Sequence, residues 1–243
     1  MKDRVIVITG ATGATGKATA RAFAKQGASL ALLGTDLSRL DSLARDLELS
    51  PHRALTCVAD LQDGKAVDSC ARVIGAKFGR IDALIHLVGG WAGGQTLVEA
   101  DTDGFERLLG QHAWTTLHLI KAFVPYMKKN RWGRVLAIST PVAANPPANL
   151  GPYSAAKAAQ EALLMSLAKE LEGTGVTTNV ILVESIDAGD TGAGTTPDEI
   201  AALLQFLCSD EAAKINGARI PSYGELYREG TSDAVPDANK AVI

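Results

Sequence analysis

No stretch of this chain is apolar for the length of a signal-peptide core or a membrane span, and Met1 is followed at once by a charged tripeptide. A cytosolic protein without membrane attachment is therefore expected. Positive charge is not in excess either: the formal net charge is -3 and the pI near 5.8, with Lys and Arg scattered among acids. Such a surface has no field to gather nucleic acid. Cysteine is scarce. Cys57, Cys70 and Cys208 are an odd number without metal-ligand spacing, which reads as buried, reduced thiols in a reducing compartment. His86, His112 and His118 form no metal set by spacing, so no metal is expected. Internal repeats, low-complexity blocks and linkers are also missing.

What is present is apolar patterning. With 243 residues, 47% of them hydrophobic, the chain can bury a full core. Apolar runs of strand length recur as RVIVIT, SLALLG, RALTCVA, DALIHLV, GRVLAIS and VTTNVILV. Runs that are apolar at nearly every position suit strands covered on both faces, as parallel sheets require. Between them lie helical patterns at about 14–26, 37–48, 64–78, 103–129, 152–173 and 197–208. The alternation predicts a single α/β domain over 1–224 with a doubly wound, Rossmann-type, mostly parallel seven-stranded sheet, whose ligand lies at the carboxyl ends of the strands. Residues 225–243 turn polar and irregular and read as a surface-draped or partly ordered tail. The loop IDAGDTGAGTT, rich in Gly, Thr and Asp, favours mobility, or order only with ligand.

Two motifs carry chemistry. In TGATGATG, Thr9 to Gly16, the glycines Gly10, Gly13 and Gly16 follow the first strand and open the first helix. Glycine lets the backbone turn tightly and approach a pyrophosphate, while the helix N-terminus offers free N–H groups. Further on, Tyr153 and Lys157 stand four residues apart in a helical pattern, which puts phenol and ammonium on one face. A cation near a phenol favours the phenolate and lowers its pKa, making Tyr153 a proton donor or acceptor near neutrality.

The TG-rich turn, the acid in VADL, the GG pair after the fourth strand, YSAAK, and NGARIPSYG near the end together resemble the short-chain dehydrogenases/reductases, over Arg4 to about Gly224. The resemblance implies a Rossmann-type fold, a nicotinamide cofactor and a homodimer or homotetramer built on two long helices. It implies cofactor contacts from Gly10, Thr12, Gly13, Thr15 and Gly16, and from Gly34, Thr35 and Asp36 at the ribose. Asp60 and Leu61 would meet the adenine, and Val88, Gly89 and Gly90 the passing ribose. Tyr153 and Lys157 would serve the nicotinamide end, where the Ile186 amide would hold the carboxamide. The acid that would bind the ribose diol of NAD is glycine at Gly34, with Thr35 able to donate to a 2′-phosphate and Arg39 on the following helix within possible reach. NADP(H) is therefore expected over NAD(H), with Asp36 swinging toward a diol as the alternative.

Three positions depart from the family pattern. Its usual serine is Thr140 here, with Ser139 just before it; either hydroxyl can polarise a carbonyl, though threonine's methyl restricts its rotamer. Its usual asparagine aligns with His112, whose neutral ring can donate and accept in a proton relay or simply pack on its neighbours. The usual Pro-Gly after the sixth strand reads Val183-Glu184, so that loop should run differently. Trp91 and Trp114 flank the expected site, as core packing or as a flat wall for a ring-shaped substrate. GGWAGG with a following tryptophan is similar to the dihydropteridine reductase branch.

The expected activity is NAD(P)H-dependent reduction of a small-molecule carbonyl or imine, with Tyr153 as proton donor, Lys157 tuning it and Thr140, with Ser139, orienting the substrate oxygen. A dihydropteridine-reductase-like enzyme is one alternative. Another class, a catalytically impaired dinucleotide-binding sensor or assembly subunit, is suggested by the three departures.

Overall fold

A computed structural model describes residues 1–223. The expected tail at 225–243 lies outside the described residues. Seven strands, β1 (Val5–Thr9), β2 (Ser29–Gly34), β3 (Ala54–Val58), β4 (Ala83–His86), β5 (Gly133–Ser139), β6 (Val176–Leu182) and β7 (Arg219–Pro221), form one sheet in the order β3-β2-β1-β4-β5-β6-β7. Every pairing is parallel. The apolar runs have a simple cause: Val5 and Val7 enter the core on one face, Ile6 and Ile8 the core on the other. A strand whose alternate side chains are buried on both faces favours apolar residues throughout, and among the polar ones buried here His86 and Ser139 are hydrogen-bonded.

Helices cover both faces: α1 (Ala14–Lys25), α2 (Leu37–Asp46), α3 (Gly64–Phe78), α4 (Thr102–Leu109), α5 (Thr115–Asn130), α6 (Gly151–Glu170) and α7 (Pro197–Cys208). α1 packs on α7, and α3 on α5. Side chains start several of them: Asp36 accepts from the Arg39 amide, Asp63 from the Lys65 amide, and Thr196 with Glu199 makes a reciprocal capping box. Each such cap supplies an acceptor for otherwise unpaired first-turn amides and contributes about 1 kcal/mol. At the opposite end of the sheet from the site, buried Asp82 takes the Val5 amide at 2.8 Å and the Arg80 guanidinium at 2.6 and 2.7 Å, tying β4 to β1.

The single helix expected over 103–129 is interrupted. A π-helical turn, Gly110–Trp114, separates α4 from α5. Such a turn inserts one residue into the helical repeat and re-aims the side chains it carries. Strand order reverses between β1 and β4, and the crevice above that point faces the glycine turn, the π turn and α6. Among the described residues no helix is long and apolar enough to cross a membrane.

Candidate active site

The glycine turn fits a dinucleotide. Gly10 has φ 64°, a backbone that side-chain-bearing residues rarely adopt, and a Cβ there would lie 3.2 Å from the Leu87 carbonyl carbon. A Cβ on Gly16 would collide with the Gly10 carbonyl oxygen. Gly13 is the N-cap of α1, with no capping side chain and no acid in the first turn, so the amide end of the helix remains open to a pyrophosphate. Thr15 is buried and Thr12 half-buried beside it.

At the end of β2, Gly34 is followed by exposed Thr35 and Asp36. The Asp36 carboxylate accepts the Arg39 amide at 3.1 Å, and the Arg39 guanidinium reaches back to the Thr12 carbonyl at 3.4 Å. Arg39 thus bridges α2 and the glycine turn. At the end of β3, Asp60 is exposed and its carboxylate accepts the Gln62 amide at 2.9 Å; neighbouring Leu61 is buried.

The chemistry-bearing side chains converge where β4, β5, the π turn and α6 meet. Tyr153 is buried and packs with Leu108, Ala156, Trp91, Leu109 and Val142. Lys157, also buried, donates to the Ile138 carbonyl at 3.1 Å and to the Gln160 side-chain carbonyl at 3.2 Å. Burial pushes Lys157 down to about 8, against an opposing pull from Glu161. Tyr153 goes the other way: burial raises its phenol, contrary to the lowering expected from the ammonium four residues on. A neutral phenol results.

His112 Nε2 donates to the Gly90 carbonyl at 2.9 Å, and the ring meets Tyr153 edge-on with centroids 5.8 Å apart. Desolvation, reinforced by Lys157, drops His112 to about 3. His86 on β4 is held there by the same two causes and bonds Thr9 Oγ1 at 2.9 Å. A Cβ on Gly89 would stand 2.9 Å from His112 Cε1 and 3.7 Å from Lys157 Nζ, so the segment Val88 to Gly90 runs directly over both side chains. Ile186, after β6, bridges to Thr195.

Two expectations are corrected. Ser139 does not offer its hydroxyl to the cleft, because that group donates to the Glu161 carboxylate; Thr140, extended and next in the chain, makes no side-chain hydrogen bond among the described residues. Trp114 does not stand beside Tyr153. It follows His112 by two positions, roughly the opposite side of the π turn, so with His112 turned inward Trp114 is 57% exposed and its ring lies against His118. Trp91 alone keeps company with Tyr153. The Gly- and Thr-rich loop after β6 is closed on itself, because the Asp187 carboxylate accepts the Gly192 amide at 2.7 Å, the Ala193 amide at 3.2 Å and the Thr191 hydroxyl at 3.2 Å. Those bonds hold the Asp187 carboxyl below its usual range despite desolvation. Sequence reasoning missed Glu161 and Gln160, both buried on α6 beside Lys157; their polarity on an otherwise core-facing helix side was the available signal.

An open pyrophosphate cradle at the sheet's reversal point, with a buried Tyr–Lys pair beneath it, defines a nicotinamide-dependent oxidoreductase of the Rossmann type. A sequence profile described as short chain dehydrogenase matches residues 4–198. The chain is 29% identical over 239 residues to the meso-2,3-butanediol dehydrogenase of Serratia marcescens, covering 91% of this chain and 94% of that one. It is 26% identical over 243 residues to the 3-oxoacyl-(acyl-carrier-protein) reductase of Thermotoga maritima, covering 93% and 98%. The fold superposes with a TM-score of 0.84 on the 3-ketoacyl-(acyl-carrier-protein) reductase of Brucella melitensis complexed with NADH, at 24% identity over 92% of this chain and 98% of that one. The chain belongs to the short-chain dehydrogenase/reductase family and is an NAD(P)-dependent oxidoreductase.

Proposed function

We propose that the protein reduces a small-molecule carbonyl to an alcohol with NADPH, as a cytosolic homo-oligomer. The observation that carries the reading is a buried Tyr153 phenol, pushed up by burial, on the same face of α6 as Lys157, with Thr140 directly after the end of β5 and its hydroxyl without a hydrogen bond among the described residues. When bound, the reduced nicotinamide supplies the hydride that goes to the carbonyl carbon. Tyr153 gives its proton to the oxygen, so the carbon gains a hydride, the oxygen a proton, and the products are an alcohol and a phenolate awaiting reprotonation. A phenol pushed up by burial is an acid that keeps its proton until negative charge develops on the substrate oxygen. Thr140 donates to that same oxygen and orients it. Lys157, under Gly89, holds the nicotinamide ribose and places a positive charge near the phenolate as it forms. His112 takes the place of a relay group behind the pair, and Trp91 walls the substrate.

NADPH is preferred in this reading because the two acidic options at the ribose are removed. Gly34 carries no carboxylate, and Asp36 is committed to capping α2. Arg39, anchored on the Thr12 carbonyl, leaves guanidinium N–H groups beside the same place for a 2′-phosphate. The glycine turn, Asp60 with Leu61, Val88 to Gly90, and Ile186 complete the cofactor contacts. The dihydropteridine alternative loses half its support with Trp114 turned to solvent.

Single-turnover mixing of the NADPH-loaded protein with a panel of ketones and hydroxyketones tests the reading. Absorbance at the reduced-nicotinamide band should decay with wild type, and Tyr153→Phe should slow that decay by about 100-fold or more while NADPH still binds. Binding without hydride transfer to any carbonyl, and no effect of Y153F, would favour a dinucleotide sensor instead.

A further inference from the structure

Lys157 is buried, and the charged or titratable groups facing it are few. His86 comes from β4, His112 from the π turn, and Tyr153 and Glu161 from α6 itself, while β5 contributes only the Ile138 carbonyl. Of these, Glu161 alone is an acid of ordinary carboxylate type. It lies one helical turn beyond Lys157 on the same face. It is buried too, and it has two partners: the Ser139 hydroxyl donates to one carboxylate oxygen, and Arg219 Nε on β7 reaches the other at 2.6 Å. Arg219 is the exposed end of this chain, with 37% of its side chain open to solvent.

The register is telling. Consecutive β5 residues bind consecutive turns of α6, Ile138 through its carbonyl to Lys157 and Ser139 through its hydroxyl to Glu161. The next residue is Thr140. A clamp at two successive points fixes the place where β5 ends, and with it the direction of the hydroxyl that follows.

We propose that Glu161 is a positioning residue: held between Ser139 and Arg219, it fixes the end of β5 that presents Thr140 and governs the charge state of Lys157, with Arg219 partly neutralising it. This rests on the assignment of Lys157 to the cofactor ribose. Two variants break the same ion pair but change the charge near Lys157 in opposite senses. Glu161→Gln removes a negative charge, so Lys157 loses its proton more readily. Arg219→Gln leaves Glu161 unneutralised, so Lys157 holds its proton to higher pH.

The experiment is the NADPH dissociation constant, read from nicotinamide fluorescence between pH 6 and 10.5, with no substrate present. Wild type should bind less tightly as pH rises through the range where Lys157 deprotonates, about 8. His86 and His112, near 3, are neutral throughout, and Tyr153 is pushed up out of the range. E161Q should move that midpoint down by about half a pH unit or more, and R219Q should move it up. Mere structural damage would move both the same way, and that result, or two unmoved midpoints, overturns the proposal. Should E161Q fail to fold, R219Q decides alone, because its side chain is partly in solvent; an unmoved or lowered midpoint is then fatal. A wild type whose NADPH affinity has no alkaline limb instead removes Lys157 from the ribose, and the proposal with it. In the ternary reaction, E161Q should lower kcat more than it raises KM, since Thr140 loses its support.

Discussion

His112 donates from Nε2 to the Gly90 carbonyl and leaves Nδ1 buried with no hydrogen-bond partner among the described residues. The carbonyl can only accept, so the 2.9 Å contact favours the Nε2–H tautomer over the one that would take the longer, 3.5 Å approach of the Gly90 amide to the same nitrogen, and in it the second ring nitrogen presents a lone pair in the interior. Protonating that nitrogen would bury a second positive charge near Lys157, and the ring consequently stays neutral down to about pH 3. The unfolded chain takes up the proton at about 6.5. Its unfolded form therefore binds more protons between these limits, and stability falls as pH drops through them, by at most about 1.4 kcal/mol per unit for one group. Urea unfolding at pH 7 and pH 5 should show a smaller acid loss in His112→Asn than in wild type. Equal losses would mean the ring titrates normally in the fold.

Lys157 gives the opposite end of the pH scale. Its folded value, about 8, is below the usual 10.5, so burying the charged form costs stability below pH 8, and the cost fades as pH rises toward 10.5. Lys157→Met keeps the apolar stem and drops the charge. Its stability relative to wild type should be greatest near pH 7 and should shrink steadily by pH 10, while NADPH binding weakens at every pH. Thermal melts across that range check the trend, and a gap that widens with pH contradicts it. A site residue retained at a cost to the fold is the expected signature of selection for binding.

Among the described residues the Arg39 guanidinium is held by a single carbonyl, Thr12, at the rim of the glycine turn. A guanidinium so placed has donors to spare for a phosphate, and a charge-assisted pair of this kind contributes about 1.5–3 kcal/mol. Arg39→Ala should weaken NADPH binding by roughly 10- to 100-fold and leave NADH binding within about twofold. Titrating both cofactors by fluorescence, with 2′,5′-ADP and 5′-ADP as competitors, measures the difference. Equal losses for both cofactors would place Arg39 in the turn's structure instead.

The sheet was legible because burial on two faces leaves so little choice: VIVIT and VTTNVIL are strands in any environment that covers both sides. The helix patterns at 37–48, 64–78 and 197–208 start where the structure puts side-chain caps, at Asp36, Asp63 and the Thr196–Glu199 box. The π turn was not legible. It adds one residue to a pattern whose apolar spacing tolerates the slip, and it decides that His112 faces Tyr153 while Trp114 faces solvent. Ser139 and Thr140 could not be told apart either, because the choice depends on Glu161, distant in sequence and revealed only when α6 packs on β5. The phenol's direction of shift was misjudged for a similar reason: a charge four residues away is visible in sequence, but the burial that raises the phenol is not.

Gly89 and His112 are complementary shapes, and this can be tested without any substrate. A methyl group at position 89 would meet His112 Cε1 at 2.9 Å, closer than carbon atoms pack, so Gly89→Ala must displace either the ring or the Val88–Gly90 segment. Either movement strains the Nε2–Gly90 bond and shifts the surface over Lys157. G89A alone should lose about 1–3 kcal/mol of stability and a larger share of its NADPH affinity. Shortening the ring should relieve the clash, so the double variant Gly89→Ala with His112→Ala should recover part of both losses, a coupling of at least about 0.5 kcal/mol in a double-mutant cycle. Strictly additive losses would show that the ring and the glycine segment do not determine each other, and the backbone's route over Lys157 would then have to be fixed from the β4 side alone.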